Sequence, residues 1–177
     1  MSKQCFVSKD FDKQIKSKYI FLDNDFISEL FQNEGVFVET LKIFRLNNST
    51  LVISPFTFFE FLRDIFFPKE RKVREDFIGN DKVFSPVINT HQVFVKVKEN
   101  ALLLSKIYSH KRSQKVGKSP SLVDLFLAAR VMFYKNNHLL ITGNKKDFPS
   151  FIFDVIGVIN IQRNENGSCR AYCVLTI

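Results

Sequence analysis

The chain has 177 residues, of which 45% are hydrophobic and 25% charged, an ordinary globular mix that suits one domain with a sizeable core. The net charge of 26 − 18 = +8 favours a polyanionic partner, chiefly nucleic acid, and leaves a merely basic soluble protein as the alternative. The sequence has no apolar run near the ~20 residues of a membrane helix. Its amino terminus lacks the apolar segment of a signal peptide, so a cytoplasmic protein is expected.

The cysteine and phenylalanine contents bear on cofactors and on substrate contacts. Cys5, Cys169 and Cys173 are widely spaced and have no His nearby, so free thiols in a reducing cytosol are expected rather than a zinc site. The 21 Phe residues are expected mainly in the core, with a base-stacking surface as the alternative.

Short apolar runs alternate with amphipathic segments at the start of the chain. Residues 1–17 are polar and are expected to form a loosely ordered lead-in or an added short element. Residues 18–22 form a predicted strand that ends in Asp23-Asn24-Asp25 and passes directly into a helix. Asn24 or Asp25 is equally well explained as the N-cap of that helix, whereas Asp23, at the end of a buried strand, needs a partner or a metal.

The alternation of helix and strand continues after this first unit. The predicted elements are a helix at 35–46, a strand at 51–53 and a helix at 55–67. Glu60 lies in the last helix between Phe59 and Phe61. A lone Glu in a helix is usually exposed, but Arg63 and Asp64 already supply the polar face here. Glu60 is therefore expected to face inward, which is costly unless it is paired or metal-bound.

Charged residues dominate the middle of the chain. Residues 69–76 are expected to be a solvated helical face, and residues 77–87 a helix followed by a loop. Thr90 is predicted to cap a long helix that ends near His110. Residues 106–118 form an acid-free basic loop, which either contacts a phosphate backbone or is simply solvated. The candidate RNA contacts in this loop are Lys111, Arg112, Lys115 and Lys118.

Residues 119–148 are the stretch around which the predicted site is organised. Ser119 is expected as the N-cap of a helix that has a proline in its first position, and a buried strand follows at 138–142. Asp124 lies in the first turn of this helix, and Asp147 lies in the loop after the strand. Ligands bind outside the carboxyl ends of parallel strands, so both acids are placed to face a site.

The remainder of the chain is predicted to be β-structure. Strands at 153–161 and 169–177 flank a hairpin turn signal at 164–167. This tail is expected to extend the sheet edge or to make a protein contact. Together with the preceding units, it predicts an α/β fold with a parallel sheet.

Four acids share the same predicted context, close to the carboxyl edge of the sheet. They are Asp23, Glu60, Asp124 and Asp147. Carboxylates in a small space repel one another and their pKa values rise, so they stay ionised together only when a cation neutralises them. Oxygen ligands without Cys or His point to Mg²⁺ or Mn²⁺, and such a site suits phosphodiester hydrolysis by an activated water.

Four motifs occur in order along residues 19–149: FLDNDF, SPFTFFEFLRD, SLVDLFLAARV and LLITGNKKDFP. In this order and spacing they resemble the motifs of PIN-domain nucleases, most closely those of the VapC-like toxins of bacterial type II toxin–antitoxin pairs. The resemblance implies a Mg²⁺- or Mn²⁺-dependent endoribonuclease with a three-layer α/β/α fold around a mainly parallel sheet. It also implies RNA as the substrate, an antitoxin protein as a partner and, often, a homodimer. The chain then divides into a lead-in, 1–17, and a single PIN-like domain, 18–177, that includes a β-hairpin extension at 153–177.

The resemblance also implies roles for individual residues. The acids of the family, which hold the metal, fall on Asp23, Glu60, Asp124 and Asp147. Thr142 would help to place water or metal, and Asn144 occupies a position that is Asp in many members. The chain departs from the family at Asp25, where Asn or Ser is usual, and in its greater length.

Two other functions fit the same residues. One is a PIN-like module that binds RNA or a partner protein without cutting, and the presence of all the motif acids argues against it. The other is a PIN-like nuclease that acts in RNA processing or on DNA flaps. Substrate comparisons and metal-dependent cleavage separate these functions.

Overall fold

A computed structural model describes the backbone of residues 5–87, 90–112, 120–148, 150–162 and 169–177, and their side chains except at 110–112. The strands are β1 (Cys5–Val7), β2 (Tyr19–Leu22), β3 (Thr50–Ile53), β4 (Phe84–Pro86), β5 (His138–Thr142), β6 (Asp154–Gln162) and β7 (Cys169–Thr176). The helices are α1 (Phe11–Ile15), α2 (Asn24–Gln32), α3 (Glu34–Leu46), α4 (Pro55–Leu62), α5 (Pro68–Ile78), α6 (His91–Arg112) and α7 (Leu122–Tyr134). Two 3₁₀ turns, Lys135–Asn137 and Lys145–Asp147, flank β5.

The seven strands of the described residues form one mixed sheet in the order β1-β6-β7-β5-β2-β3-β4. β2 pairs in parallel with both β3 and β5, and β3 pairs in parallel with β4. β7 lies antiparallel between β5 and β6, and β1 lies antiparallel to β6. The α/β class and the C-terminal hairpin are thus confirmed. Because half of the strand pairings are antiparallel, the sheet is mixed rather than mainly parallel.

Helices pack on both faces of the sheet because its central strands are apolar on both sides. In β2, Ile20 and Leu22 belong to one hydrophobic cluster with residues of α1 to α5, whereas Phe21 belongs to a second cluster with residues of α6 and α7. All three are at most 1% exposed, and burying a side chain of this size contributes roughly 2 kcal/mol. The register places Phe21 beside Leu140 and Val52, which belong to the second cluster too.

α4 is shorter than predicted, and the charged helix after it is confirmed. α4 ends at Leu62 instead of residue 67. Phe67 is extended (φ −85°, ψ 121°), as expected for a residue that precedes a proline. Pro68 begins α5, whose charged residues form exposed i,i+4 ion pairs. β4 falls in the segment predicted as helix and loop. It has three residues and ends in Pro86, which suits the edge of a sheet.

Both ends of the chain are built into the sheet. In the segment predicted as a lead-in or an added element, β1 pairs with β6, and α1 buries Phe11 and Ile15. The tail, which was expected to extend the sheet edge or to make a protein contact, extends the sheet beyond β5, and β7 lies between β5 and β6. The predicted turn at 164–167 lies outside the described residues. The three Cys are free thiols, and no helix in the described ranges is long and apolar enough to cross a membrane.

Candidate active site

Asp23 is held where β2 and β5 end side by side. Leu22 pairs with Ile141, so Asp23 follows β2 next to Thr142, the last residue of β5. Thr142 Oγ1 donates a 2.6 Å hydrogen bond to Asp23 Oδ2, and the Asn24 amide donates a 2.7 Å bond to Asp23 Oδ1. Each oxygen of Asp23 is therefore fixed by one donor. Asp23 is 5% exposed, so the site has little access to water.

Asp124 is fixed at the start of α7 by a capping box. Ser121 Oγ accepts a 3.1 Å hydrogen bond from the Asp124 amide, and Asp124 Oδ2 accepts a 2.9 Å bond from the Ser121 amide. The prediction of Ser119 as the N-cap is wrong, because Ser121 caps the helix and Pro120 precedes it. Asp124 lies in the first helical turn as predicted, and it is 8% exposed.

The turn after β5 brings Asp147 to Asp124. Asn144 Nδ2 donates to Asp147 Oδ2, and the Asn144 amide donates a 2.9 Å hydrogen bond to Thr142 Oγ1. Asp147 also lies within electrostatic range of the Asp124 carboxyl. From α6, the Tyr108 hydroxyl donates a 2.6 Å bond to the main-chain oxygen of Asp147. Tyr108 is a positioning contact that the sequence does not predict.

Glu60 lies on α4 within electrostatic range of the same acids. Burial is the main cause of its raised pKa, and the negative charges of Asp124 and Asp25 raise the pKa further, whereas Arg63 lowers it. The Glu60 side chain is half-buried rather than turned fully inward as predicted. Asp23, Glu60 and Asp147 are thus each within electrostatic range of Asp124. Thr142 and Asn144 are hydrogen-bonded to Asp23 and Asp147, respectively.

Asp23, Glu60 and Asp147 hold protons more tightly than isolated carboxylic acids do, because their pKa values are raised. Burial raises the pKa of Asp23 to about 7, and the charges of Asp25 and Asp124 add to this effect, although the hydrogen bonds from Thr142 and Asn24 oppose it. Burial also raises the pKa of Asp147, and the Asp124 charge is the second cause. At neutral pH burial and, to a smaller extent, neighbouring negative charge therefore disfavour the ionised carboxylates, and a bound cation would offset both effects.

The oxygen donors fit a hard divalent cation chemically but are not arranged as a ready-made chelate. Mg²⁺ and Mn²⁺ prefer carboxylate oxygens. Within the described ranges, no three His, Cys, Asp or Glu side chains are already grouped at the spacing of a metal site. Both oxygens of Asp23 and one of Asp124 accept hydrogen bonds. A cation would use their remaining lone pairs and draw in the half-buried Asp147 and Glu60.

Asp25 has partners of its own. Its two oxygens accept hydrogen bonds from the Gly143 amide at 3.0 and 3.3 Å, and Oδ2 also accepts from Arg170 Nη2 at 3.0 Å. Neither Asn24 nor Asp25 is the N-cap of α2, because Asp23 occupies that position. Burial raises the pKa of Asp25, although Gly143 and Arg170 favour its ionised form. The only sequence signal for Arg170 is a cation in an otherwise apolar strand, CRAYCVLTI.

The basic residues near the site differ from those predicted. The predicted contacts are Lys111 and Arg112, of which only the helical backbone is described, and Lys115 and Lys118, which lie outside the described residues. Residues 106–112 belong to α6 and are not a loop. Lys145 and Lys146, which the sequence does not single out, are exposed in the turn between Asn144 and Asp147.

A cavity of about 450 Å³ lies at the ends of β3 and β4. Its lining includes Ser54, Pro55 and Phe58 from the start of α4, and Phe84 and Val87 from around β4. The four acids do not contribute to this lining, so the cavity is a feature separate from the acidic cluster.

Comparisons with protein-family models, curated proteins and solved structures find no match for this chain. The resemblance to PIN-domain nucleases stays a prediction that rests on the four motifs. What can be said of function follows from the geometry and charge of the acidic cluster.

Proposed function

We propose that the protein is a Mg²⁺- or Mn²⁺-dependent ribonuclease of the PIN type. The observation that carries this proposal is the electrostatic coupling of Asp124 to Asp23, Glu60 and Asp147, four acids from separate parts of the chain. We also propose that the fold is the three-layer α/β/α arrangement of that family. The packing of two groups of helices against opposite faces of the sheet supports it.

The residues of the cluster have separable tasks in such a reaction. Asp23 and Asp124 are buried and hydrogen-bonded, so they would offer fixed oxygens to the cation. A bound Mg²⁺ or Mn²⁺ would supply an acidified water and stabilise the charge that develops on the phosphate. Thr142 orients Asp23 through its 2.6 Å hydrogen bond. Glu60, with a raised pKa and a half-buried side chain, is suited to accept the proton of the attacking water.

The charge of the chain supports a nucleic-acid substrate. The net charge is +8, although the acidic cluster itself is negative. Exposed Lys145 and Lys146 lie within three residues of Asp147 and can bind phosphates of a strand that crosses the cluster. We also propose that Lys111, Arg112, Lys115 and Lys118 contact the RNA. An antitoxin partner, a homodimer and a toxin role remain predictions from the family resemblance.

The test is metal-dependent cleavage of single-stranded RNA, structured RNA and single-stranded DNA by the purified protein. RNA cleavage is expected with Mn²⁺ or Mg²⁺, and none is expected with EDTA. Asp23→Asn and Asp124→Asn should each lower the rate by roughly 10²-fold or more, because each removes a metal-binding charge. Both replacements keep an oxygen that can accept the local amide hydrogen bonds, so circular dichroism should show folded proteins.

Asp154→Asn is the matched control for these variants. Asp154 is exposed and pairs with Thr176, whereas Thr142 pairs with Cys173, so Asp154 lies toward the opposite end of the sheet. Its replacement should leave the cleavage rate unchanged. Equal rates in wild type and Asp124→Asn would show that a contaminating nuclease is responsible and would refute the proposal.

One observation favours a second function, which is RNA binding without cleavage. Asp23 caps α2 and Asp124 completes a capping box, so both acids already have structural roles, and the described acids are not preset as a chelate. In that case the protein would bind RNA with the same affinity in Mn²⁺ and in EDTA and would release no cleavage product. Binding and cleavage measured on the same RNA distinguish the two functions.

A further inference from the structure

An ion pair joins α2 to β7 next to the acidic cluster. Arg170 Nη2 lies 3.0 Å from Asp25 Oδ2, and the two residues are separated by 145 positions in the chain. The guanidinium also lies 4.9 Å from the centre of the Tyr172 ring, and its Nη1 lies 3.9 Å from Glu29, one helical turn beyond Asp25. Stacking on one side and carboxylates on the other give the Arg170 side chain a defined orientation.

Glu29 and Tyr172 form the buried part of this arrangement. Glu29 is 3% exposed and accepts a 3.0 Å hydrogen bond from the Tyr172 hydroxyl and a 2.7 Å bond from Asn33 Nδ2. Tyr172 is fully buried and packs edge-on against Phe26 at 4.8 Å between ring centres. β7 is therefore attached to α2 by buried polar contacts as well as by packing. Arg170 lies at the outer end of these contacts.

Asp25, which is held by Arg170, in turn holds the Gly143 amide. The Gly143 amide donates to both Asp25 oxygens, and a Cβ atom at Gly143 would lie 2.5 Å from Asp25 Oδ2 and 3.2 Å from the Tyr172 ring. The close approach of main chain, carboxylate and ring leaves no space for a side chain. The glycine is therefore needed here for space, since its neighbours occupy the position of a Cβ.

Gly143 connects the two residues that orient the acids. Thr142, before it, donates to Asp23, and Asn144, after it, donates to Asp147. A movement of the Gly143 peptide would displace both donors at once. The Asp25–Arg170 pair therefore acts on Asp23 and on Asp147 through a single peptide.

We propose that Arg170 is a positioning residue of the acidic cluster, which holds Asp25 on the Gly143 amide and so fixes the Thr142–Asn144 turn against Asp23. This inference rests on the proposed function where it concerns cleavage. It assigns a role to the C-terminal hairpin, which the family resemblance leaves as an extension. It also accounts for Asp25 in place of the usual Asn or Ser, because the added negative charge is matched by Arg170.

The test uses full-length Arg170→Met, Asp25→Asn and the double variant. In Arg170→Met the Asp25 carboxylate loses its cation, and the turn is expected to loosen. Asn at position 25 can still accept from the Gly143 amide and needs no cation, so the double variant should recover much of the loss. For RNA cleavage, kcat should fall roughly 10- to 100-fold in Arg170→Met with little change in KM, as expected for misplacement of reacting groups.

A second measurement does not depend on cleavage. Hydrogen exchange of the Gly143 amide, followed by NMR in EDTA, should be about tenfold faster in Arg170→Met and slower again in the double variant. Arg71→Met is the matched control, because Arg71 pairs with Glu75 on the exposed face of α5 and should change neither quantity. Arg170→Lys should recover part of the protection, since it keeps the charge but loses the stacked guanidinium plane.

The outcomes separate this inference from the proposed function. If the wild type cleaves no RNA, the proposed function fails, and Gly143 exchange alone decides whether Arg170 holds the turn. If Arg170→Met is folded and exchange at Gly143 is unchanged, Arg170 does not position the turn, whatever the cleavage rate. A loss of kcat that Asp25→Asn does not recover would likewise contradict a role that acts through Asp25.

Discussion

Replacing Asp23 by Asn should change how the stability of the metal-free protein depends on pH. The pKa of Asp23 is about 7 in the folded protein and 3.8 is its ordinary value, mainly because the carboxyl is buried. The folded state therefore binds the Asp23 proton more tightly than the unfolded state. Ionisation of Asp23 costs the folded state nothing below pH ~4, an increasing amount between pH ~4 and ~7, and the full amount above pH ~7.

The size of the effect follows from the two pKa values. A difference of about 3 in pKa, at 1.36 kcal/mol per unit, corresponds to on the order of 4 kcal/mol of lost stability above neutral pH. Asn cannot ionise, so Asp23→Asn does not lose stability in this way as the pH rises. The variant also changes the hydrogen bonds from Thr142 and Asn24, which adds an offset of about 1 kcal/mol that is the same at every pH. Relative to wild type, the variant should gain stability from pH ~4 to ~7 and then level off.

Urea unfolding in EDTA across this pH range measures the effect as the difference between the two proteins. The difference is needed because His138 acts in the opposite direction. Burial and the charge of Lys18 lower the pKa of His138 to about 4, so His138 lowers stability as the pH falls below ~6.5. This contribution is common to both proteins and cancels. Asp154→Asn, measured in the same way, controls for the loss of one exposed carboxyl group.

A difference between wild type and Asp23→Asn that stays flat from pH ~4.5 to ~8 would refute the electrostatic account of the site. Mn²⁺ supplies a second check. It should stabilise the wild type at pH ~8 and leave Asp23→Asn nearly unchanged, because a ligand raises stability only through its affinity for the folded state.

Three further predictions concern the turn after β5. Gly143→Ala should lower the free energy of unfolding by roughly 1–3 kcal/mol in chemical denaturation, because its Cβ would lie 2.5 Å from Asp25 Oδ2. Unchanged stability would show that the turn can accommodate a Cβ atom. Tyr108→Phe removes the 2.6 Å hydrogen bond to the Asp147 carbonyl, so it should lower the free energy of unfolding by about 1 kcal/mol and also lower kcat. An unchanged kcat would mean that Asp147 keeps its position without this hydrogen bond. Replacing both Lys145 and Lys146 by Gln should reduce the salt dependence of RNA binding in EDTA by about 1–2 in the log–log slope, and an equal slope would place the phosphate contacts elsewhere.

The parts of the fold that the sequence predicts well are those with strong local signals. The strand at β2 is a short apolar run that ends in three polar residues, and β5 ends in the same way at Gly143-Asn144, so both strand ends are readable. β4 has only three residues and includes Pro86, so neither its length nor its composition marks a strand. The start of α7 is misplaced by two positions because two serines flank Pro120. The spacing of Ser121 to Asp124, which fits a capping box, is the better signal.

The candidate site was predictable only where residues follow from their position in an α/β unit. Asp23 and Asp147 follow strands, and Asp124 begins a helix, so the general rule for parallel sheets brings them to one edge. The pairing of Asp25 with Arg170 depends instead on where β7 enters the sheet, and local patterns do not carry that information. For the same reason the hairpin was predicted as a peripheral extension, although it supplies part of the support for the turn that holds Asp23 and Asp147.

The place of β7 in the sheet also has a consequence for biosynthesis. A ribosome makes β7 after every other described element, yet β7 separates β5 from β6, and β1 has β6 as its neighbour. A nascent chain that lacks β7 would expose an open side of β5, which favours association with other chains. It would also leave Asp25 without Arg170. If the protein cuts RNA, a chain still under translation should therefore be a poor nuclease, and full activity should begin only after its C-terminal hairpin has left the ribosome.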